Sequence, residues 1–256
     1  MCVKFSIITV CYNAEKYIRS TILSVLQQEY KNYQYIIKDG KSSDSTMEII
    51  HELLDGNDRV KIISERDSGI YDAMNEAAEL AVGEYVLFLN AGDSFCDGTV
   101  LKKADEFLKK NVADVLYGNI IQIDGSEKNI RKYGPIYQKK IFYLMGDSIC
   151  HQALFVKRKL LERKFDTSYQ VCADREWELY WLSKKAKFVS APFEVSRVLV
   201  DGFSREHIEE YEEEARRCIH IYLRKVEWIY CIVEWMKKNR VFLAFFRNIE
   251  KIFWKA

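Results

Sequence analysis

Proline is almost missing from this 256-residue chain, which has two, so no proline-rich linker divides it into separate bodies. No cysteines stand in C-x-x-C spacing. The seven (Cys2, Cys11, Cys96, Cys150, Cys172, Cys218, Cys231) are scattered and odd in number. That argues against a structural zinc site and a disulfide framework, and it fits a reducing cytosol. No apolar run approaches the ~18 residues expected of a membrane-spanning helix. The opening MCVKFSIITV enters a strand at once and shows no small-residue cleavage site, so no signal peptide is expected. A G-x-G-x-x-G turn is absent after the first apolar run, and G-x-x-x-x-G-K-[ST] is absent throughout, which weakens the usual dinucleotide and P-loop readings. A one-signed main body is lacking too. Arg216 to Ala256 holds ten Lys or Arg against three Glu, or +7, so the net +1 leaves +1 − 7 = −6 for the rest. A nucleic-acid binder usually spreads positive charge over its main domain.

What is present is globular: 48% apolar residues, 14% aromatic, and enough length for one large α/β domain or a domain with an appendage. Phe5 to Val10, Tyr33 to Ile37, Val60 to Ser64 and Tyr85 to Leu89 are short apolar runs that read as buried strands. Between them lie helical patterns: Tyr17, Ile18, Ile22, Val25 and Leu26; then Met47, Ile49, Ile50, Leu53 and Leu54; then Ile70 to Ala81. Asn13 reads as cap of the first, Ser42 to Thr46 of the second, Asp67 or Ser68 of the third. Alternating strand and helix predicts a parallel sheet with right-handed crossovers. Beyond Gly98 the pattern loosens. A helix is expected over Leu101 to Leu108, two short strands over Asp114 to Ile123 broken at Gly118, and loops over 124–148. Next come a strand at Ala153 to Val156, a helix over Asp174 to Leu182, a strand over Phe188 to Val195, and helix from Arg205 onward. Glu209, Glu210, Glu212, Glu213 and Glu214 near its start read as a solvated face at the positive end of the helix dipole.

The strand ends carry the chemistry. The first stops at Tyr12 and Asn13, the second at Asp39, the fourth at Asn90-Ala91-Gly92-Asp93. In a parallel sheet these ends share one edge, where ligands bind in open α/β folds. Tyr12 offers a flat face for a base and Asp39 an acceptor. Asp93 offers a carboxylate for Mg2+ or Mn2+, ions that bind through one or two carboxylates plus substrate phosphates. The plainer alternatives are a packed tyrosine, a turn-capping Asp39, and an Asp93 that caps a helix near Gly98. Cys150 and His151, taken as neighbours on a strand, would point to opposite faces, which disfavours a nucleophilic pair.

The stretches TVCYNAEKYIRSTILSVLQQEYKNYQYIIKDGKSSDST, SERDSGIYDAMNEAAELAVGEYVLFLNAGD and CHQALFVKR resemble a family 2 glycosyltransferase of the GT-A fold, of the bacterial polysaccharide-assembly type. The likeness spans roughly residues 4–203. It implies a GT-A domain over 1–203, with a nucleotide-sugar-binding half (1–97), an acceptor-binding half (98–203) and a helical basic-aromatic extension (204–256). It also implies a mostly parallel Rossmann-type sheet, a nucleotide-diphosphate sugar donor (a UDP-sugar first), a divalent metal and inversion at the sugar carbon. Carried over by residue, Thr9, Tyr12 and Asn13 fall where the family meets the nucleoside, and Asp39 at the carboxylate that contacts the base. Asp67, Gly69, Asp72 and Asn75 fall in the special loop and helix start beside the donor. Asn90-Ala91-Gly92-Asp93 stands in place of the family's D-x-D, so Asp93 alone supplies a charged metal ligand, with Asn90 and Ala91 beside it. Asp174 matches the late Asp that deprotonates the acceptor, with Glu176 in reserve and N-capping as the plainer role. His151 and Gln152 are candidates for donor phosphate or acceptor.

The C-terminal segment interleaves Trp, Phe and Ile with Lys and Arg, as an interfacial helix does. The alternative is a helix pair packed on the catalytic domain or another subunit. With the family's lipid-linked or glycan acceptors, this implies a cytoplasmic enzyme held on the inner face of the plasma membrane. Two rivals stand: a non-catalytic nucleotide-sugar-binding scaffold, and a Rossmann-type oxidoreductase.

Overall fold

Seven successive buried residues, Phe5–Cys11, make strand β1, and burial on both faces explains the unbroken apolar run. The computed structural model describes residues 3–124, 127–134, 141–144, 148–199 and 207–238. Helix α1 (Ile18–Leu26) leads to β2 (Tyr33–Asp39), α2 (Thr46–Leu54) to β3 (Val60–Ser64), and α3 (Ile70–Glu79) to β4 (Tyr85–Phe88). All three pairings among these strands are parallel: β1 with β2, β2 with β3, β1 with β4. The chain therefore runs outward from β1 through β2 to β3, then crosses back to lay β4 on the other side of β1. The C-terminal edge between β1 and β4 is the point where strand order reverses, the place where ligands bind in open α/β folds.

The second half completes a nine-stranded sheet among the described residues, ordered β3-β2-β1-β4-β8-β6-β9-β5, with β7 on β6. Its added strands are β5 (Ser94–Phe95), β6 (Val115–Asp124), β7 (Glu127–Arg131), β8 (Leu154–Lys157) and β9 (Phe188–Leu199). Pairing here is mixed rather than mostly parallel: β8 is antiparallel to β4 and β6, while β9 is parallel to β6. Helices α4 (Val100–Lys110), α5 (Ile141–Leu144), α6 (Ala173–Ser183), α7 (Ile208–Leu223) and α8 (Glu227–Lys238) complete the described chain.

Several expectations change. Asp114 to Ile123 is one strand, not two. Its irregularity does fall around Gly118, where the register against β9 shifts between Tyr117 and Ile120. The stretch 124–148, expected as loops, contains β7 and α5. Strand β7 is polar and pairs on one side only, so alternation gave no signal. Asn13 does not cap α1, whose N-cap is Tyr17, and Tyr17 faces solvent. The α3 N-cap is Gly69, not Asp67 or Ser68. His151–Ala153 forms a 3-10 turn before β8, so Cys150 and His151 do not lie on a strand. They therefore do not alternate between the two faces of a strand. Of the basic-aromatic segment, residues 239–256 lie outside the described residues, as do 204–206 at the head of the extension.

Candidate active site

The loop after β1 and the loop after β2 are stitched together by side chains. Asp39, paired in register with Cys11, is fully enclosed; its carboxylate accepts from the backbone N–H of Lys41 (3.1 Å) and Ser42 (3.1 Å) and from the hydroxyls of Ser42 and Ser64. Asn13 has φ 47, a left-handed conformation that asparagine tolerates, and its Oδ1 accepts from Ser43 N–H at 2.9 Å. Its own N–H donates to Ser42 Oγ at 2.8 Å. Asp39 therefore organises the 40–43 loop from the end of β2. The buried hydroxyl of Thr9 donates to the Leu89 carbonyl (2.7 Å) and lies 3.0 Å from Tyr35 Oη, tying β1 to β4 beneath the edge. Tyr12 differs, being 64% exposed. It sits beside Gly40, where an added Cβ would lie 3.4 Å from the Tyr12 ring and 2.9 Å from Asp67 Oδ2. A side chain at position 40 would thus fill the space between Tyr12 and Asp67.

The loop before α3 is held by its own acids. Asp67 Oδ1 accepts from Gly69 N–H (3.2 Å), and buried Lys38 lies 3.6 Å from Asp67 Oδ2. Asp72 takes the Ser68 hydroxyl (2.6 Å) and N–H (2.9 Å), bonds that hold its carboxyl below the usual range. Gly69, at φ 136, permits the turn into α3, a conformation a side chain would strain. Asn75 is buried and exchanges two hydrogen bonds with the Phe165 backbone (2.8 and 2.9 Å), so it braces α3.

Beyond β4 the chain turns at Asn90-Ala91-Gly92-Asp93. Ala91 N–H donates to the Val10 carbonyl, which sets this turn directly beside the end of β1. Tyr12, Asp39 and Asp93 thus belong to one sheet edge, Asp39 and Ala91 flanking the end of β1 on opposite sides. Asp93 does not cap the following helix, whose N-cap is Thr99. Its carboxylate points inward, is 7% exposed, and accepts from Gln152 Nε2 at 2.8 Å. Burial pushes its pKa up to about 6, against the opposing pull of the Gln152 bond and the nearby His151.

His151 connects this turn to α6. Its Nδ1 lies 2.9 Å from Asp174 Oδ2, and since a carboxylate only accepts, Nδ1 carries the proton. Nε2 of the neutral ring is then an acceptor, and Asn90 Nδ2 donates to it at 3.2 Å. On Asp174 Oδ1 converge the Arg175 N–H (2.7 Å) and the Tyr71 phenol (3.2 Å), which also bonds the Val171 carbonyl at 2.8 Å. Asp174 is not the cap of α6; that position is Cys172. Glu176, the reserve base, is buried and held by Arg163 (2.6 and 2.8 Å) and Tyr222. Tyr71 was invisible as a site residue because the helical spacing of the sequence marked its neighbours, not itself, as inward.

Among the described residues no group of three or more His, Cys, Asp or Glu comes together for a metal. The donor set is smaller: the Asp93 carboxylate and Asn90 Oδ1, a buried oxygen with no hydrogen-bond partner among the described residues. An orphaned amide oxygen beside a carboxylate suits a hard divalent cation that takes its remaining ligands from phosphate. The residues fit such an ion.

The glycosyl transferase family 2 profile matches residues 6–163, more than half of the chain. A "PGL/p-HBAD biosynthesis glycosyltransferase" of Mycobacterium bovis is 30% identical over 186 residues, 71% of this chain and 71% of that protein. Two solved structures share the fold. One is Staphylococcus aureus TarS 1–349 in complex with UDP (TM-score 0.66, 20% identity, 86% of this chain), of which this chain spans 65%. The other is the mannosyltransferase PcManGT of Pyrobaculum calidifontis with GDP-Man and Mn2+ (TM-score 0.64, 15% identity, 91% of this chain and 71% of that one). With the β1–β4 reversal of strand order and the acid-lined edge already in place, these likenesses identify the chain as a member of glycosyltransferase family 2, an enzyme built on the GT-A fold.

Proposed function

We propose that this glycosyltransferase moves a sugar from a nucleotide-diphosphate donor, UDP-linked in the first instance, to a glycan or lipid-linked acceptor in cell-surface polysaccharide synthesis, with inversion at the sugar carbon. The observation that carries the reading is the state of Asp174. One of its oxygens accepts from Arg175 N–H and lies 3.2 Å from the Tyr71 phenol, the other accepts from His151, and the side chain keeps 19% of its surface exposed, so its carboxylate retains room to take a proton. The acceptor hydroxyl gives its proton to that carboxylate while its own oxygen bonds the sugar carbon and the carbon–phosphate oxygen bond breaks. The imidazole N–H of His151 fixes the carboxylate's rotation. Tyr12 supplies the face on which the base stacks, and the 1–97 half holds the donor while 98–203 receives the acceptor. Asp93 and Asn90 would hold Mg2+ or Mn2+ on the diphosphate, and such an ion would supply charge neutralisation to the leaving group. The TarS and PcManGT complexes, with UDP and with GDP-Man and Mn2+, support this donor class.

Release of UDP or GDP, measured across a panel of donor sugars with Mn2+ and then with chelator, tests the reading. Asp174→Asn is expected to fold, bind UDP and lose transfer by at least ~10²-fold. Full activity in that variant would remove Asp174 as the base.

We also place the enzyme on the membrane surface, cytoplasmic side, through its C-terminal helices. No helix among the described residues is long and apolar enough to cross a membrane. On α8, however, Trp228, Ile232 and Trp235 recur at helical spacing and face outward, with Arg224 and Lys225 at its start.

A further inference from the structure

The acidic run at the head of α7 is not wholly a solvated face. Glu214 reaches back across 42 residues and receives three backbone N–H groups of the segment that enters α6: Gln170 on Oε1 at 2.6 Å, Val171 and Cys172 on Oε2 at 2.9 and 2.8 Å. Cys172, the N-cap of α6, makes no side-chain capping bond of its own. The start of α6 thus takes its anionic partner from another helix. The Val171 peptide fixed on its N–H side by Glu214 presents its neighbouring carbonyl to Tyr71, and the same phenol touches Asp174 Oδ1. Further bonds hold α7 against α6: Arg175 Nη1 to Tyr211 Oη at 3.2 Å, and Tyr222 Oη to Glu176.

We propose that Glu214 is a positioning residue for Asp174, setting the carboxylate's orientation through the Val171 peptide and Tyr71. This assigns α7 a part in the catalytic geometry, and it rests on Asp174 being the base. Small displacements of a reacting group are costly, on the order of 10²-fold for ~1 Å.

Steady-state kinetics of Glu214→Ala should show kcat lowered about 10- to 100-fold with donor KM and UDP affinity held within about two-fold. Glu214→Gln should recover much of the loss, because its carboxamide oxygen still accepts from Val171 and Cys172. In a Tyr71→Phe background the Glu214→Ala change should add little, since both act on one carboxylate. Leu223→Ala, a cavity in the same helix away from the 170–172 segment, serves as the stability-matched control and should lower the melting temperature without this split. The proposal is overturned if folded Glu214→Ala keeps kcat within about two-fold, if its loss equals that of the Leu223 control, or if its loss multiplies fully with that of Tyr71→Phe. Should Glu214→Ala not fold, Glu214→Gln takes its place in the cycle, with a several-fold kcat loss expected and the same outcomes decisive. Transfer retained by Asp174→Asn would instead remove the base itself. A dead Asp174→Asn beside an unaffected Glu214→Ala would remove only the positioning role.

Discussion

At Asp93 burial and hydrogen bonding pull in opposite directions, and burial prevails, lifting the carboxyl to about 6 from 3.8. A carboxylate raised in the folded state costs stability once it ionises. Below pH ~4, where the unfolded chain also holds the proton, the cost is absent. It grows between about 4 and 6 and is full above that, roughly 3 kcal/mol for the shift given. In chelator and without donor, Asp93→Asn should therefore be more stable than the parent at pH 8, with the advantage vanishing by pH ~4, as read by urea denaturation. The same variant should lose metal-dependent donor binding, because its amide offers a cation no charge. Tyr12 sits at the other extreme of burial. Tyr12→Ala removes nothing from the core, so its stability should stay within about 0.5 kcal/mol of the parent. UDP affinity should fall about ten-fold or more, the worth of one base on an aromatic face; calorimetry with UDP measures it. Unchanged affinity would move the base elsewhere on the edge.

Elements are tied by contacts that single residues decide. The pairing of β6 with β9 bends at Gly118, where an added Cβ would lie 2.6 Å from Val195 Cγ2 and 2.7 Å from the Phe193 carbonyl oxygen. Backbone cannot yield as a side-chain tip can. Gly118→Ala should lose about 1–3 kcal/mol in denaturant unfolding and slacken the strand whose end reaches Leu199 beside Gly92. The first four strands were readable because burial on both faces leaves no polar alternation to confuse them. Strand β7 was not: Glu-Lys-Asn-Ile-Arg has a single apolar residue, Ile130, and that one is exposed. Likewise nothing in five glutamates near the start of a helix distinguishes Glu214, whose partners lie more than forty residues earlier.

The whole molecule carries its charge unevenly, with +7 from Arg216 onward and −6 before it. A basic end that also presents Trp228 and Trp235, 62% and 59% exposed, suits an anionic lipid surface. Replacing both tryptophans by alanine, or deleting residues 240–256, should reduce sedimentation with phosphatidylserine vesicles at least several-fold. Vesicles of neutral lipid, and high salt, should abolish most of the binding of the intact chain, since each basic residue near the surface contributes about 1 kcal/mol. Unchanged binding in both variants would leave these helices to pack against protein.

The amino-acid order alone determined the alternation of strand and helix through Phe88, the single edge on which Tyr12, Asp39 and Asp93 stand, and the family. Apolar periodicity and parallel topology are local properties that each stretch carries in itself. Only the tertiary structure decided which polar groups remain available there. Thr9, Asp39, Asn75 and Glu176 spend their oxygens and nitrogens on the protein. Asp174 is held by His151 and its own helix, with the Tyr71 phenol shared between it and the Val171 carbonyl, yet stays partly exposed. Hydrogen-bond saturation depends on partners up to a hundred residues away, and no spacing along the chain records it.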